Sequence, residues 1–168
     1  MDTPLQLEEY FFPHVKVSAD PEAVGPDGTA KCDFGINVNS IKTADEPRSY
    51  QVSLVISSSP ESEKQRIPYS IELAVIGFFK VSSEWPDPHK LLEINGASIL
   101  YAAAREFIIT ITSRGPWGAF MLPTASFLKM YAQKHAVKEK KAEELNNPIE
   151  VKSPKPKKRQ KKEGLSQA

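Results

Sequence analysis

Residues able to do catalytic chemistry are sparse in this chain. Histidine occurs at His14, His89 and His135, and Cys32 is the one cysteine. None of these falls at a spacing that binds a metal, so no metal and no other cofactor is expected. The adjacent carboxylates Glu8–Glu9 and Glu143–Glu144 read as solvated charge, since nothing around them is set to perturb a pKa. There is no G-x-S-x-G elbow, no Walker loop and no dinucleotide fingerprint. No catalytic residue is assigned, and the chain is not expected to be an enzyme. Its chemistry is apolar contact. Trp85 sits in the proline-broken stretch Ser82–His89, and Trp117 lies in Gly115-Pro116-Trp117-Gly118 just before Phe120 and Met121. Aromatic rings and methionine make broad, adaptable contacts, although they serve equally well to plug a core.

The elements that would position these side chains follow from periodicity. Leu5 to Val17 predicts a first strand, bulged near Pro13 and suited to an edge; Phe11 and Phe12 place one ring on each of its faces. Ser18 to Thr29 reads as a loop. Alternation over Cys32–Val38 and Tyr50–Ser57 predicts second and third strands, joined by a turn at Ala44–Pro47. Ile67–Val81 is the fourth and longest strand. Tyr69, Ile71, Leu73 and Val75 face one way, and Ala74, Ile76 and Phe78 the other. Short polar connections predict an antiparallel meander. Leu100, Ala103, Ala104, Phe107, Ile108 and Ile111 mark a long helix, with Asn95 or Ser98 as its cap and Gly115 as its left-handed stop. Ile99, Tyr101 and Ile109 lie off that stripe, so the helix needs more than one partner surface. Thr124 is the expected cap of a last helix carrying Phe127, Leu128, Tyr131, Ala132 and His135. The fold class is therefore α+β: a four-stranded antiparallel sheet with a long helix and a C-terminal helix packed on one face.

The run Ile99–Pro123 resembles the SecB family of export chaperones. The resemblance rests on Ala104-Arg105-Glu106 in the long helix, the Ser113-Arg114-Gly115 turn, and Leu122-Pro123 before the final helix. It implies an ATP-independent holdase that binds unfolded polypeptides, in protein export or in protecting an antitoxin. It also implies a homotetramer built as a dimer of dimers, with the SecA motor or an antitoxin as further partners. Apolarity and family position together nominate Phe11, Phe78, Trp85, Tyr101 and Trp117 for client binding. They nominate Ile71, Leu73, Arg105 and Ile109 for the subunit interface. Arg105 beside Glu106 reads as a helix-surface or intersubunit ion pair.

Composition bounds the rest. The 168 residues are 40% hydrophobic and 26% charged, with a net charge of +1, ordinary values for one globular domain. No apolar stretch of membrane-spanning length is read from the sequence. An acidic start and a lone cysteine fit a cytoplasmic protein with no signal peptide and no membrane insertion. From Lys138 onward ten Lys/Arg face five Asp/Glu, whereas the preceding residues carry twelve against sixteen, net −4. The expected division is thus a SecB-like domain over residues 1–137 and a charged helical extension with a basic tail over 138–168. The rival function is association with nucleic acid through that tail, by charge alone. The basic tail departs from the acidic or polar tail of export-dedicated members.

Overall fold

In the computed structural model, residues 3–23, 32–45, 48–60 and 66–146 are described. The Gly/Pro-rich stretch from residue 24, the turn residues 46–47, the connection 61–65 and the basic tail from 147 lie outside them. The chain divides into two compact units, Met1–Lys134 and His135–Ala168. Four strands, β1 (Leu5–Ala19), β2 (Cys32–Ala44), β3 (Ser49–Pro60) and β4 (Tyr69–Val81), form one antiparallel sheet. They lie in the order β1-β4-β3-β2.

That order corrects the expected simple meander. β2, β3 and β4 do follow one another, but β1 pairs with β4 rather than with β2. The reason is legible in β4. A strand apolar on both faces is best placed inside a sheet, where both neighbours shield it. Every odd residue of β4 from Tyr69 to Val81 is buried and every even one is half-exposed. β1, broken by bulges at Glu8 and at Phe12-Pro13, takes an edge as its proline requires.

The odd face of β4 packs against the helical layer. That layer opens with a short helix α1 (Pro88–Leu91), runs through a π-helical turn at Leu92–Gly96, and continues as α2 (Ala97–Thr112). The loop expected over Ser82–His89 therefore ends earlier than its prolines suggest. Asp87 caps the helix by accepting the Lys90 N–H at 3.0 Å, and Pro88 follows at the first helical position. Asn95 and Ser98 are not caps; Ser98 Oγ donates back to Ile94 O at 2.6 Å from within the helical run. From Pro88 to Thr112 the helix is 25 residues long, and an 18-residue stretch of it reaches a mean hydropathy of 1.2. By length and composition it could cross a bilayer, contrary to the sequence reading. Its apolar stripe instead lies on the sheet.

The stripe is rotated from the expected one. Ala97, Leu100, Tyr101, Ala104, Ile108 and Thr112 are buried, while Ile111 is exposed. Leu100 sits so close to β4 that a Cβ at Gly77 would lie 2.6 Å from its Cδ2. Gly77, a poor strand residue by propensity, is what lets helix and sheet meet.

The helix stop also differs. Gly118, not Gly115, has the left-handed backbone, at φ 73°. Gly115 is needed because a side chain there would collide with the Tyr69 hydroxyl. The final helix α3 (Phe127–Asn146) begins one residue after Ser126, whose Oγ reaches the Lys129 N–H at 3.5 Å in place of the expected Thr124.

Candidate functional site

Three surfaces hold the nominated residues, and they are separate. The first is the face of the sheet turned away from the helices. Bulging at Phe12-Pro13 leaves Phe11 opposite Ile76 on this outer face, and Phe12 on the inner one, stacked on Phe107 at 4.2 Å between centroids. Phe11 is 42% exposed and meets Phe78 at 6.3 Å. Ala74 and Ile76 extend the strip, and Val55, opposite Ala74 on β3, adds a further exposed side chain. The strip is bounded at one end by Lys16, which donates to Glu72 Oε1 at 2.8 Å. That bond and the Lys16 charge hold the Glu72 carboxyl below its ordinary value. At the other end Lys80 pairs with Glu8.

The second surface lies where β4 hands over to the helices. Pro4, Trp85, Pro86, Leu91 and Ile94 wall a cavity of about 380 Å³, with Asp87, Lys90 and Asn95 supplying its polar groups. That volume falls in the range of real ligand pockets, and the mix of apolar wall and few polar groups is typical of them. Trp85 is 39% exposed there. Pro4 reaches the cavity because its carbonyl accepts the Ser82 N–H at 3.0 Å, extending the β1–β4 pairing by one bond.

The third surface is the loop after α2, and it is a structural knot before it is anything else. Tyr69 Oη accepts the Trp117 N–H at 3.2 Å and can donate to Gly118 O at 3.0 Å or Thr112 O at 3.3 Å. Thr112 Oγ1 accepts the Phe120 N–H at 2.8 Å and donates to Ile108 O at 2.7 Å. Trp117 Nε1 donates to Asp20 O at 2.9 Å, so the indole is tied to the end of β1 and keeps only part of its ring in water. Buried polar groups are thus paired, and the loop is held to the sheet.

Trp85 and Trp117 do not share a groove. One follows Val81 and the other hangs on Tyr69, at opposite ends of the thirteen-residue β4, about 40 Å apart along a strand rising ~3.3 Å per residue. Tyr101 is a correction. It is only 5% exposed, its ring packs edge-on against Phe127 at 5.5 Å, and its hydroxyl donates to Pro123 O at 2.6 Å. Burial raises the Tyr101 pKa, against the opposing charge of Arg105. It is a core residue fastening the chain before α3, not a client contact. Ile71 and Leu73 are likewise corrected: they point at the helical layer and are sealed, at 0% and 1% exposure, so they have no surface for a second copy. Arg105 Nε donates to Leu122 O at 3.0 Å within the same chain, and Glu106 accepts from Thr110 Oγ1 at 3.0 Å. Ile109 alone of the four proposed interface residues is half-exposed and uncommitted to the core.

The sequence reading missed Lys134, whose Nζ donates to Val38 O of the edge strand β2 at 3.2 Å and pairs with Glu93 at 3.0 Å. No periodicity reports that a lysine within a helix reaches across to a strand carbonyl. Among the described residues no three His, Cys, Asp or Glu side chains gather as a metal site.

Fold and surface together define an α+β domain that covers one face of its sheet with helices and leaves side chains such as Phe11 and Val55 exposed on the other. The chain belongs to the SecB family: residues 15–138 match that family, described as preprotein translocase subunit SecB. Members of this family are chaperones rather than enzymes. Among solved structures, the fold is shared with the Mycobacterium tuberculosis SecB-like chaperone Rv1957, determined in complex with a ChAD peptide from the Rv1956 HigA1 antitoxin. The two are 12% identical, with a TM-score of 0.59 over 73% of this chain and 91% of that one. A Streptococcus agalactiae protein of unknown function is 14% identical, with a TM-score of 0.46 over 71% of this chain and 97% of the other. No curated protein matches the sequence.

Proposed function

We propose that this protein is an ATP-independent holdase that binds non-native polypeptides. Family membership over residues 15–138 carries this reading, and the partly exposed Trp85 beside its apolar cavity supports it. The mechanism is mass action: a partner that binds only the non-native chain holds it from folding or aggregating. Each buried aliphatic or aromatic client side chain contributes about 1.5–3 kcal/mol before the cost of ordering. The cavity at Trp85 receives one such side chain. The edge strand β2 offers main-chain bonds to an extended segment, with Lys134 holding one of its carbonyls until the client arrives.

Modest affinity per segment makes assembly matter. A homotetramer, a dimer of dimers, multiplies weak sites through effective concentration. Its interface uses the half-exposed Ile109 and the exposed Ile99 and Ile111 of α2. Phe11 and Phe78 form a second client-facing strip, and Trp117 contributes the exposed part of its ring. Residues 1–137 carry the activity, with 138–168 as an appendage, and the protein works in the cytoplasm. An antitoxin segment is one client in view of the M. tuberculosis structure, and handover to the SecA motor is the other role in the family's range.

The test is suppression of aggregation of a chemically denatured protein, without nucleotide, together with the native mass. Suppression at stoichiometric amounts by a tetramer is expected. Absence of any suppression, with the protein folded, would end the proposal.

A further inference from the structure

Arg48 stands just ahead of β3 and is held at both its backbone and its side chain. Its carbonyl accepts the Val81 N–H at 3.0 Å, fixing it beside the end of β4. Its Nη1 donates to Ser83 O at 3.1 Å and to Trp85 O at 3.2 Å. Two carbonyls of one short loop, two residues apart, therefore converge on a single guanidinium. The loop is also closed by the Trp85 N–H, which donates to Ser82 O at 3.1 Å. Beyond Trp85 the chain passes through Pro86 to Asp87, which caps α1. The indole thus leaves a backbone pinned before it, at it and after it.

We propose that Arg48 is the positioning residue of the Trp85 cavity, holding the Ser83 and Trp85 carbonyls so that the indole stands as a preformed wall for an incoming client side chain. This rests on the reading that the cavity receives clients. A guanidinium suits the task because it is planar, permanently charged and donates through several N–H groups in fixed directions. Bonds from a charged donor are the stronger kind. Without it the two carbonyls turn to water, which solvates them well in an exposed loop. Folding stability then changes little, while the loop populates conformations in which the wall is absent. Apparent affinity falls by the fraction of molecules still presenting the wall. If the tie holds nine molecules in ten and its loss leaves about one in ten, the Kd rises about tenfold.

The experiment uses the full chain carrying Trp117→Phe, so that Trp85 is the single emitter, and refers every value to that background. Arg48→Met, Arg48→Gln and Arg48→Lys are compared by Trp85 emission and acrylamide quenching in the free protein. Their Kd is then measured for a labelled 15-residue synthetic peptide of alternating aromatic and polar residues. Arg48→Met and Arg48→Gln should red-shift the emission, raise quenching and raise Kd about tenfold, with Arg48→Lys between them and the native residue. Trp85→Ala should raise Kd comparably, and adding Arg48→Met to it should change nothing more. Emission, quenching and Kd unchanged in Arg48→Met would overturn the proposal, as would a raised Kd in Trp85→Ala with none in Arg48→Met. A Kd untouched by Trp85→Ala removes clients from this cavity, and the positioning role with them, whatever Arg48 does to the emission.

Discussion

Replacing Gly77 with alanine sets two principles against each other with opposite signs. Glycine inside a strand is entropically costly, so propensity alone predicts that Gly77→Ala stabilises by roughly 0.5–1 kcal/mol. The packing predicts the reverse. An added Cβ would lie 2.6 Å from Leu100 Cδ2, 3.0 Å from Phe79 Cε2 and 3.3 Å from Leu100 Cδ1. Carbon atoms in contact prefer about 3.5–4.0 Å, so the nearest pair is short by about 1 Å. Leu100 cannot swing aside cheaply, because it is fully buried under α2, and Phe79 is also sealed. Overpacking of this kind costs typically 1–3 kcal/mol. Offsetting the propensity gain leaves a net loss of about 0–2.5 kcal/mol, centred a little above 1, or a drop of a few degrees in Tm. Urea unfolding followed by far-UV circular dichroism, repeated at two protein concentrations to separate assembly from folding, measures it. Leu100→Ala makes room, so in that background the same substitution should be neutral or favourable, a coupling of about 1 kcal/mol or more. Gly77→Ala at or above wild-type stability would mean that α2 does not sit against β4 as closely as described.

Other outcomes follow from the same geometry. Tyr69→Phe leaves the ring but strips the hydroxyl from the Trp117 N–H and the Gly118 and Thr112 carbonyls; it should cost about 1–3 kcal/mol and expose Trp117, read as a red-shifted emission. Tyr101 has a raised pKa through burial, so the folded state resists its ionisation. The stability it contributes is present below about pH 10 and is lost as pH rises through the folded value. Tyr101→Phe should therefore flatten the alkaline limb of the stability profile, and an unchanged limb counts against burial as the cause. Glu72 has the opposite sign: Lys16 lowers its pKa, so its contribution is present above the ordinary carboxyl range and fades as pH falls through the folded value. Glu72→Gln should remove that part of the acid dependence. Removing residues 147–168 takes away the run of lysines but none of the apolar surfaces; suppression of aggregation should persist, and its loss would return weight to the tail.

How much was legible depended on how local the cause was. The period-two pattern of Tyr50, Val52, Leu54 and Ile56 named the buried face of β3 correctly, and Phe11 and Phe12 did divide between the two faces of β1. Pro13 marked an edge strand and a bulge, because a missing N–H cannot serve a central ladder. The α+β class, the long helix and the motif Ala104-Arg105-Glu106 were likewise written in short stretches of chain.

The remainder depended on what came to lie beside what. Whether β1 joins β2 or β4 is a choice among partners distant in sequence, and the doubly apolar β4 decided it by needing two neighbours. The helical stripe turned to bury Tyr101 and Thr112 because a tyrosine and a threonine can sit inside once Pro123, Ile108 and Phe120 meet their polar atoms. Gly115 and Gly77 look alike as glycines, yet one yields to a hydroxyl and the other to a leucine, and neither uses a left-handed backbone. The Trp85 cavity brings Pro4 to Trp85, 81 positions further along the chain, a proximity no local pattern encodes. Sequence carried the parts whose energetics reach a few residues along the chain; packing decided those that depend on a group meeting its partner through space.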